Sequence, residues 1–170
     1  MDDDLLDRAA EYIRLARRAV AFTGAGISVE SGIPPFRGPG GLWTIYDPAC
    51  LDITYFYADP AKAWVVIKEI FYDYFGQARP NAAHYALAEM EACRRLALVI
   101  TQNIDNLHQQ AGSQNVIEYH GASRRLVCLE CERIQPYQAD LFASMPPCCY
   151  HCGGILRPDF VFFGEPIPLI

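Results

Sequence analysis

Two cysteine pairs, Cys128-x-x-Cys131 and Cys149-x-x-Cys152, lie 17 residues apart in this chain of 170 residues, and no other feature limits its folding as tightly. Each pair lets two sulfurs face one ion from a tight turn, and the separation suits a four-thiolate zinc ribbon. Gly153-Gly154 supplies the unhindered backbone that such a turn needs. Four protein ligands leave no open position for water, so the metal expected here holds structure and performs no chemistry. Buried free thiols, or a disulfide formed on oxidation, are the alternatives. Cys148 competes with Cys149 for a ligand position, and His151 offers a nitrogen in place of a sulfur. Cys50 and Cys93 read as core residues.

The wider composition narrows the class of protein. Apolar residues make up 52% of the chain, which is globular and long enough for one domain with a small insert. A formal charge of −6, with no basic cluster larger than the pairs Arg17-Arg18, Arg94-Arg95 and Arg124-Arg125, argues against sequence-specific nucleic-acid binding. The amino terminus, MDDDLLDRAAEYIRLARR, is acidic and then amphipathic, unlike a secretory signal. No apolar run approaches the roughly 20 residues of a membrane span. A cytoplasmic protein with no membrane partner is expected. Seven cysteines, an odd number, disfavour a disulfide framework.

Hydrophobic periodicity predicts a helix over Asp2–Arg18, with Leu5, Ala9, Ile13 and Ala16 on one face, followed by a buried strand at residues 19–23. The Gly- and Pro-rich stretch from Gly32 to Pro48 predicts an ordered loop. Helices are predicted over Pro60–Phe75 and Asn81–Cys93, then strands over Leu96–Ile100 and Val116–Tyr119. Alternation of this kind indicates a parallel sheet covered by helices, and ligands of such sheets bind beyond the carboxyl ends of the strands.

Three of these strand ends carry unusual residues. Gly24-Ala25-Gly26 follows the first, and a strand followed by Gly-x-Gly and a helix-capable Ser28 can present backbone N–H groups to a phosphate. The fingerprint is incomplete, because Val29 occupies the place of the third glycine, and Asp47 is the candidate for the acidic residue some 20 positions on. A plain strand-to-loop turn fits this motif equally well. Arg37 is either a fixed cation for a phosphate or an ordinary surface arginine. Thr101-Gln-Asn-Ile-Asp-Asn-Leu-His108 follows the second strand, and His120-Gly121 the third.

Taken together, GAGISVESGIPPFRG (residues 24–38), TQNIDNLHQQAG (101–112), His120-Gly121, the two cysteine pairs and RPDFVFFGE (157–165) resemble the sirtuins, the NAD-dependent protein lysine deacylases. The resemblance runs from about Val20 to Glu165. It implies an α/β fold class, a Rossmann-like parallel sheet with helices on both faces and incomplete at the C-terminus, plus a small zinc-ribbon module and a helical insert. Residues 1–38, 80–124 and 155–170 would form the NAD-binding part, 39–79 the cofactor loop and helical insert, and 125–154 the zinc module.

It also implies the cofactors NAD and zinc, an acetylated-lysine protein or peptide as substrate, and the family reaction. In that reaction the acyl oxygen attacks the ribose, nicotinamide leaves, and a histidine acts as base on a ribose hydroxyl. His120 matches that base, and an imidazole with an ordinary pKa near ~6.5 suits proton abstraction at neutral pH. Asn103 matches a residue near the reacting ribose, Asp105 the acceptor for the nicotinamide carboxamide, and Gln102 and Ile104 their neighbours. Gly24, Ala25, Gly26, Phe36 and Arg37 match the cofactor loop, with Ser28 and Ile33 as pocket wall. Val161, Phe162 and Phe163 match the segment whose backbone pairs with substrate peptide. Cys128, Cys131, Cys149 and Cys152 match the zinc ligands. His84 and His108 read as structural.

Family members acting on acidic acyl groups carry a Tyr-x-x-Arg pair before the Pro-Asn step, here Pro80-Asn81. This chain has no arginine between Lys62 and Arg79 and places Phe71 or Phe75 there, so acetyl or another neutral acyl group is expected. The sequence ends at Ile170, where sirtuins continue with further strands and a Gly-Thr-Ser turn. An open apolar sheet edge and weak or absent activity of the 170-residue piece are therefore expected. Two rival readings remain: a protein mono-ADP-ribosyltransferase using the same pocket, and a non-catalytic zinc-ribbon and nucleotide-binding module.

Overall fold

The apolar runs become three parallel strands, β1 (Val20–Thr23), β2 (Leu98–Thr101) and β3 (Val116–Glu118), adjacent in that order. The structure, a computed structural model, describes residues 3–168; Met1, Asp2, Leu169 and Ile170 lie outside the described residues. Thr23 pairs with Thr101, and Thr101 in turn with Glu118. The carboxyl ends of all three strands are therefore level, and the segments leaving them emerge side by side.

Helix α1 (Asp3–Leu15) precedes β1 and stops short of Arg18. Its apolar stripe is not buried, since Leu5 is 58% exposed, and β1, expected to be buried, leaves Val20 46% and Phe22 64% exposed. The reason is positional: β1 is an edge strand of this sheet, and nothing among the described residues covers its outward side chains. Between β1 and β2 lie α2 (Ile53–Ala58), which sequence periodicity does not predict, α3 (Pro60–Ile67) and α4 (Ala82–Ala92). Asp52 and Asp59 cap α2 and α3, each accepting a backbone N–H with its side chain. The helix predicted over Pro60–Phe75 widens into a π turn over Lys68–Tyr74 and ends in a 3-10 turn at Phe75–Gln77. An apolar run offers no periodic signal that separates such a turn from ordinary helix.

Helix α4 begins with a reciprocal cap, in which Asn81 Oδ1 accepts from Ala83 N–H while His84 Nδ1 accepts from Asn81 N–H at 3.3 Å. Helix α5 (Leu107–Ala111) links β2 to β3. The facing rings of His84 and His108 are fully buried, with centroids 4.9 Å apart. His108 Nε2 lies 2.9 Å from Thr23 Oγ1. Nε2 of His84 and Nδ1 of His108 have no hydrogen-bond partner among the described residues. This pair joins α4 and α5 to the end of β1.

A second, antiparallel sheet has the order β5-β4-β6, formed by β4 (Gly121–Cys128), β5 (Ile134–Pro136) and β6 (Leu156–Phe160). Strand β4 includes residues 124 and 125, although its register with β6 shifts between Ala122 and Leu126. Its core side chains Leu126, Leu156 and Phe160 pack with Phe56, Trp64, Ile67 and Ile70 of the insert. Trp64 Nε1–H donates to Leu156 O at 2.7 Å, and Tyr72 OH to Ser123 O at 2.6 Å, so the buried polar atoms of these large rings are satisfied.

At the far end of β4 the ligand atoms of Cys128, Cys131, Cys149 and Cys152 lie within 4.8 Å of one another. The separations Cys128–Cys152 and Cys131–Cys149 are 3.4 and 3.8 Å. Zinc–sulfur bonds of about 2.3 Å place tetrahedral sulfurs about 3.8 Å apart, so the cluster fits the ion. Backbone N–H groups of Glu130, His151 and Gly154 point at these sulfurs from 3.4 Å and favour the thiolates. Cys148 and His151 are exposed and outside the group.

Two outcomes are expected. The purified chain binds about one zinc, and Cys149→Ser or chelation unfolds the antiparallel sheet before the parallel one, as read by hydrogen exchange. Retention of β4 protection without metal would refute the ribbon. For His108, burial first, and then the neighbouring His84, lower the pKa from 6.5 to about 4, with Asp105 opposing. The unfolded chain takes up that proton near pH 6.5 and the folded one only near 4, so the contribution is complete above 6.5 and lost as pH falls towards 4. At about 1.4 kcal/mol per pKa unit this amounts to on the order of 3 kcal/mol. Urea unfolding followed across that interval should show the loss, reduced in His108→Gln.

Candidate active site at the level strand ends

The segments leaving β1, β2 and β3 meet residues 33–44 and 160–165 around a cavity of about 450 Å3. After β1 the chain makes a 3-10 turn over Ala25–Ser31 that closes on Gly32, which adopts φ 86°. This replaces the α-helix start expected at Ser28. The Gly- and Pro-rich stretch then folds back on itself: Leu42 N–H donates to Pro35 O at 2.9 Å and Trp43 N–H to Phe36 O at 3.1 Å. A Cβ on Gly41 would sit 2.9 Å from the Arg37 carbonyl carbon and 3.0 Å from Phe36 O, so only glycine permits this reversal. The fold-back stacks Phe36 against Trp43 at 5.3 Å, and Phe163 sets its edge to both. Arg37 reaches the cavity with no ion-pair or hydrogen-bond partner among the described residues.

The polar side is a chain of donors running one way. Asn103 Nδ2 donates to Gly24 O and to Ser28 Oγ, each at 3.1 Å. Ser28 Oγ donates to Asp105 Oδ2 at 2.7 Å, and Leu107 N–H donates to Asp105 Oδ1 at 3.0 Å. With both Asn103 amide protons engaged, its Oδ1 and the remaining lone pairs of Asp105 are acceptors left for a ligand. Ala25, Ile33, Gln102, Asn103, Ile104 and Asp105 line the cavity. Gly24, Gly26 and Ser28 do not; Ser28 is fully buried behind the wall, bridging Asn103 and Asp105.

His120 joins this wall from the end of β3. Its Nδ1 lies 3.0 Å from the Gln102 carbonyl oxygen, which can only accept, so in the neutral ring the proton is on Nδ1 and Nε2 carries the lone pair. The backbone is tied on both sides of the ring, with Tyr119 N–H donating to Thr101 O and Val161 N–H to His120 O. Gly121 has φ 78°, and a Cβ there would collide with the Asp159 carbonyl oxygen. A glycine is thus required directly behind the histidine.

The 160–165 segment is clamped by Glu165, whose carboxylate accepts from Arg157 Nη1 and Nη2 at 2.5 and 2.8 Å and from Phe162 N–H at 2.9 Å. Although partial burial works the other way, these donors keep the Glu165 pKa below its ordinary value. Both backbone groups of Phe163 are bonded to the insert, N–H to Leu51 O and C=O to Ile53 N–H, each at 3.0 Å. The three expected peptide-pairing residues, Val161, Phe162 and Phe163, all line the cavity, but their N–H groups are already used. Within residues 161–164 the backbone groups without a partner among the described residues are Val161 C=O and both groups of Gly164. Trp43, Leu51, Phe160 and Glu165 also line the cavity without having been singled out from sequence, and Phe71 and Phe75 close its apolar side. Only the fold-back and the bonds from residues 51 and 53 bring Trp43 and Leu51 here.

Residues 24–170 match the Sir2 family. An NAD-dependent protein deacetylase of Caldivirga maquilingensis is 51% identical over 94% of this chain and 63% of its own length. NAD-dependent protein deacetylase 1 of Pyrobaculum aerophilum is 48% identical over 97% and 65%. The chain thus spans slightly under two thirds of these relatives. A solved structure described as Sir2–p53 peptide–NAD+ superposes with TM-score 0.86 at 40% identity, over 96% of this chain and 66% of that one. A Sir2 structure bound to a propionylated peptide gives 0.84 at 38%, with the same coverage. On that match over residues 24–170, the chain belongs to the Sir2 family, the sirtuins.

Proposed function

We propose that this chain carries the catalytic centre of an NAD-dependent protein-lysine deacetylase. The observation that carries the reading is the placement of His120, its Nδ1 3.0 Å from the Gln102 carbonyl oxygen, in one cavity with the acceptors of Asn103 and Asp105. NAD supplies the acceptor ribose and a neutral leaving group, nicotinamide. Arg37 is suited to its phosphates, and Asp105 to the carboxamide protons. The lone pair on His120 Nε2 is suited to taking a proton from a ribose hydroxyl, while the Gln102 carbonyl holds the ring in that tautomer. Phe36, stacked on Trp43, shields the reacting end of the cavity from water. Val161 C=O and Gly164 offer hydrogen bonds to an extended acyl-lysine peptide, consistent with the peptides bound in solved relatives.

Phe71 and Phe75 favour a neutral acyl group. Among the described residues Arg37 is the one arginine or lysine that lines the cavity, and a buried carboxylate beside two phenyl rings would lack a counter-charge.

The test is nicotinamide release from NAD. Release that requires an acetyl-lysine peptide and falls by about 10²–10⁴ in His120→Ala, with NAD binding retained, is the expected result. Peptide-independent release, or a variant equal to the parent, would overturn the assignment. Glu165→Gln keeps the shape of the clamp but removes its charge. It should cost on the order of 1–3 kcal/mol of stability and raise the KM for peptide more than it lowers kcat. Unchanged peptide KM would show that the clamp does not shape the lip.

A further inference from the structure

Two of the basic pairs that lie far apart in sequence, Arg17-Arg18 and Arg94-Arg95, are brought together by the fold. Parallel pairing of β1 with β2, continued by Ala97 N–H to Ala19 O at 2.9 Å, places them side by side at the amino ends of the strands. With Ile13 and Asn115 they line a concavity of about 340 Å3, a size typical of small-molecule sites. Among the described residues none of the four guanidinium groups has an ion-pair or hydrogen-bond partner. The acid in the same lining, Glu91, is already engaged: its carboxylate accepts from Gln114 N–H and from Asn115 N–H and Nδ2–H, at 2.8 to 3.2 Å.

The plain explanation is that arginines offset the negative carboxyl ends of α1 and α4, but the charges do not balance. Each helix end carries about −0.5, so two ends and Glu91 offset about two of the four positive charges. About two remain, in a chain whose formal charge is −6. Arg94 also sits at φ 59°, in a helix-ending turn closed by Arg95 N–H to Met90 O at 2.8 Å, where glycine or asparagine is the usual occupant. An arginine is held there against its backbone preference.

We propose that this concavity binds a multiply phosphorylated small molecule through its phosphate groups. Guanidinium forks match phosphate oxygens in pairs, and the uncompensated charge calls for at least a dianion. Among the described residues the lining contains no aromatic ring on which a base could stack, so an attached nucleoside contributes little. The site lies at the opposite ends of the strands from the His120 cavity.

Calorimetric titration with sodium tripolyphosphate tests this. The expected result is one site whose affinity falls steeply with added salt, is matched by ATP within about threefold, and weakens at least tenfold in Arg17→Gln/Arg95→Gln. Both substituted side chains are exposed, and an unchanged melting temperature would verify the fold. Undiminished affinity in that variant overturns the proposal. So does loss in Arg37→Gln, which would place the anion in the His120 cavity. Equal binding of polyglutamate would assign the patch to an acidic protein instead and also overturn it.

Discussion

In-register pairing of three short parallel strands is the constraint on which the site depends. With Thr23, Thr101 and Glu118 level, the segments after them begin at one height, and each delivers its polar residues within a few positions of the strand end. A shift of one residue in β2 would turn Asn103 and Asp105 to the other face and break the donor chain through Ser28. The site is thus a product of register first and of side-chain identity second.

The second sheet has a supporting part. β4 leaves directly from His120-Gly121, and β6 returns beside it to deliver residues 160–165, so one hairpin-like unit sets two walls of the cavity. Its core with Phe56, Trp64 and Ile67 holds it against the insert, and the thiolate cluster closes its distal end. The cysteine cluster stands apart from His120, Asn103 and Asp105 and is joined to the cavity through these strands.

Much of this was legible from local chemistry. The cysteine pairs, the strand ends and His120 are contiguous motifs whose chemistry does not depend on distant residues, and the structure gathers them. Tertiary context decided the rest. The burial expected for residues 19–23 follows from their composition, whereas the exposure of Phe22 follows from the edge position of β1. Ser28 carries the same hydroxyl whether it lines a pocket or stands behind it. Which backbone groups of Val161 and Phe162 are free could not be read from sequence, because these groups are identical in every chain; the fold shows the two N–H groups bonded to His120 and Glu165. The π turn and α2 left no periodic trace, and Trp43 reaches the cavity through a reversal that depends on Gly41.

Phe163 has a further consequence. Because its N–H and C=O are both bonded to residues 51 and 53, the lip of the cleft and the helical insert are mechanically one piece. A side-chain change in the insert that moves residues 51–53 therefore bears on the lip of the cavity, through two backbone bonds that do not involve Asn103, Asp105 or His120.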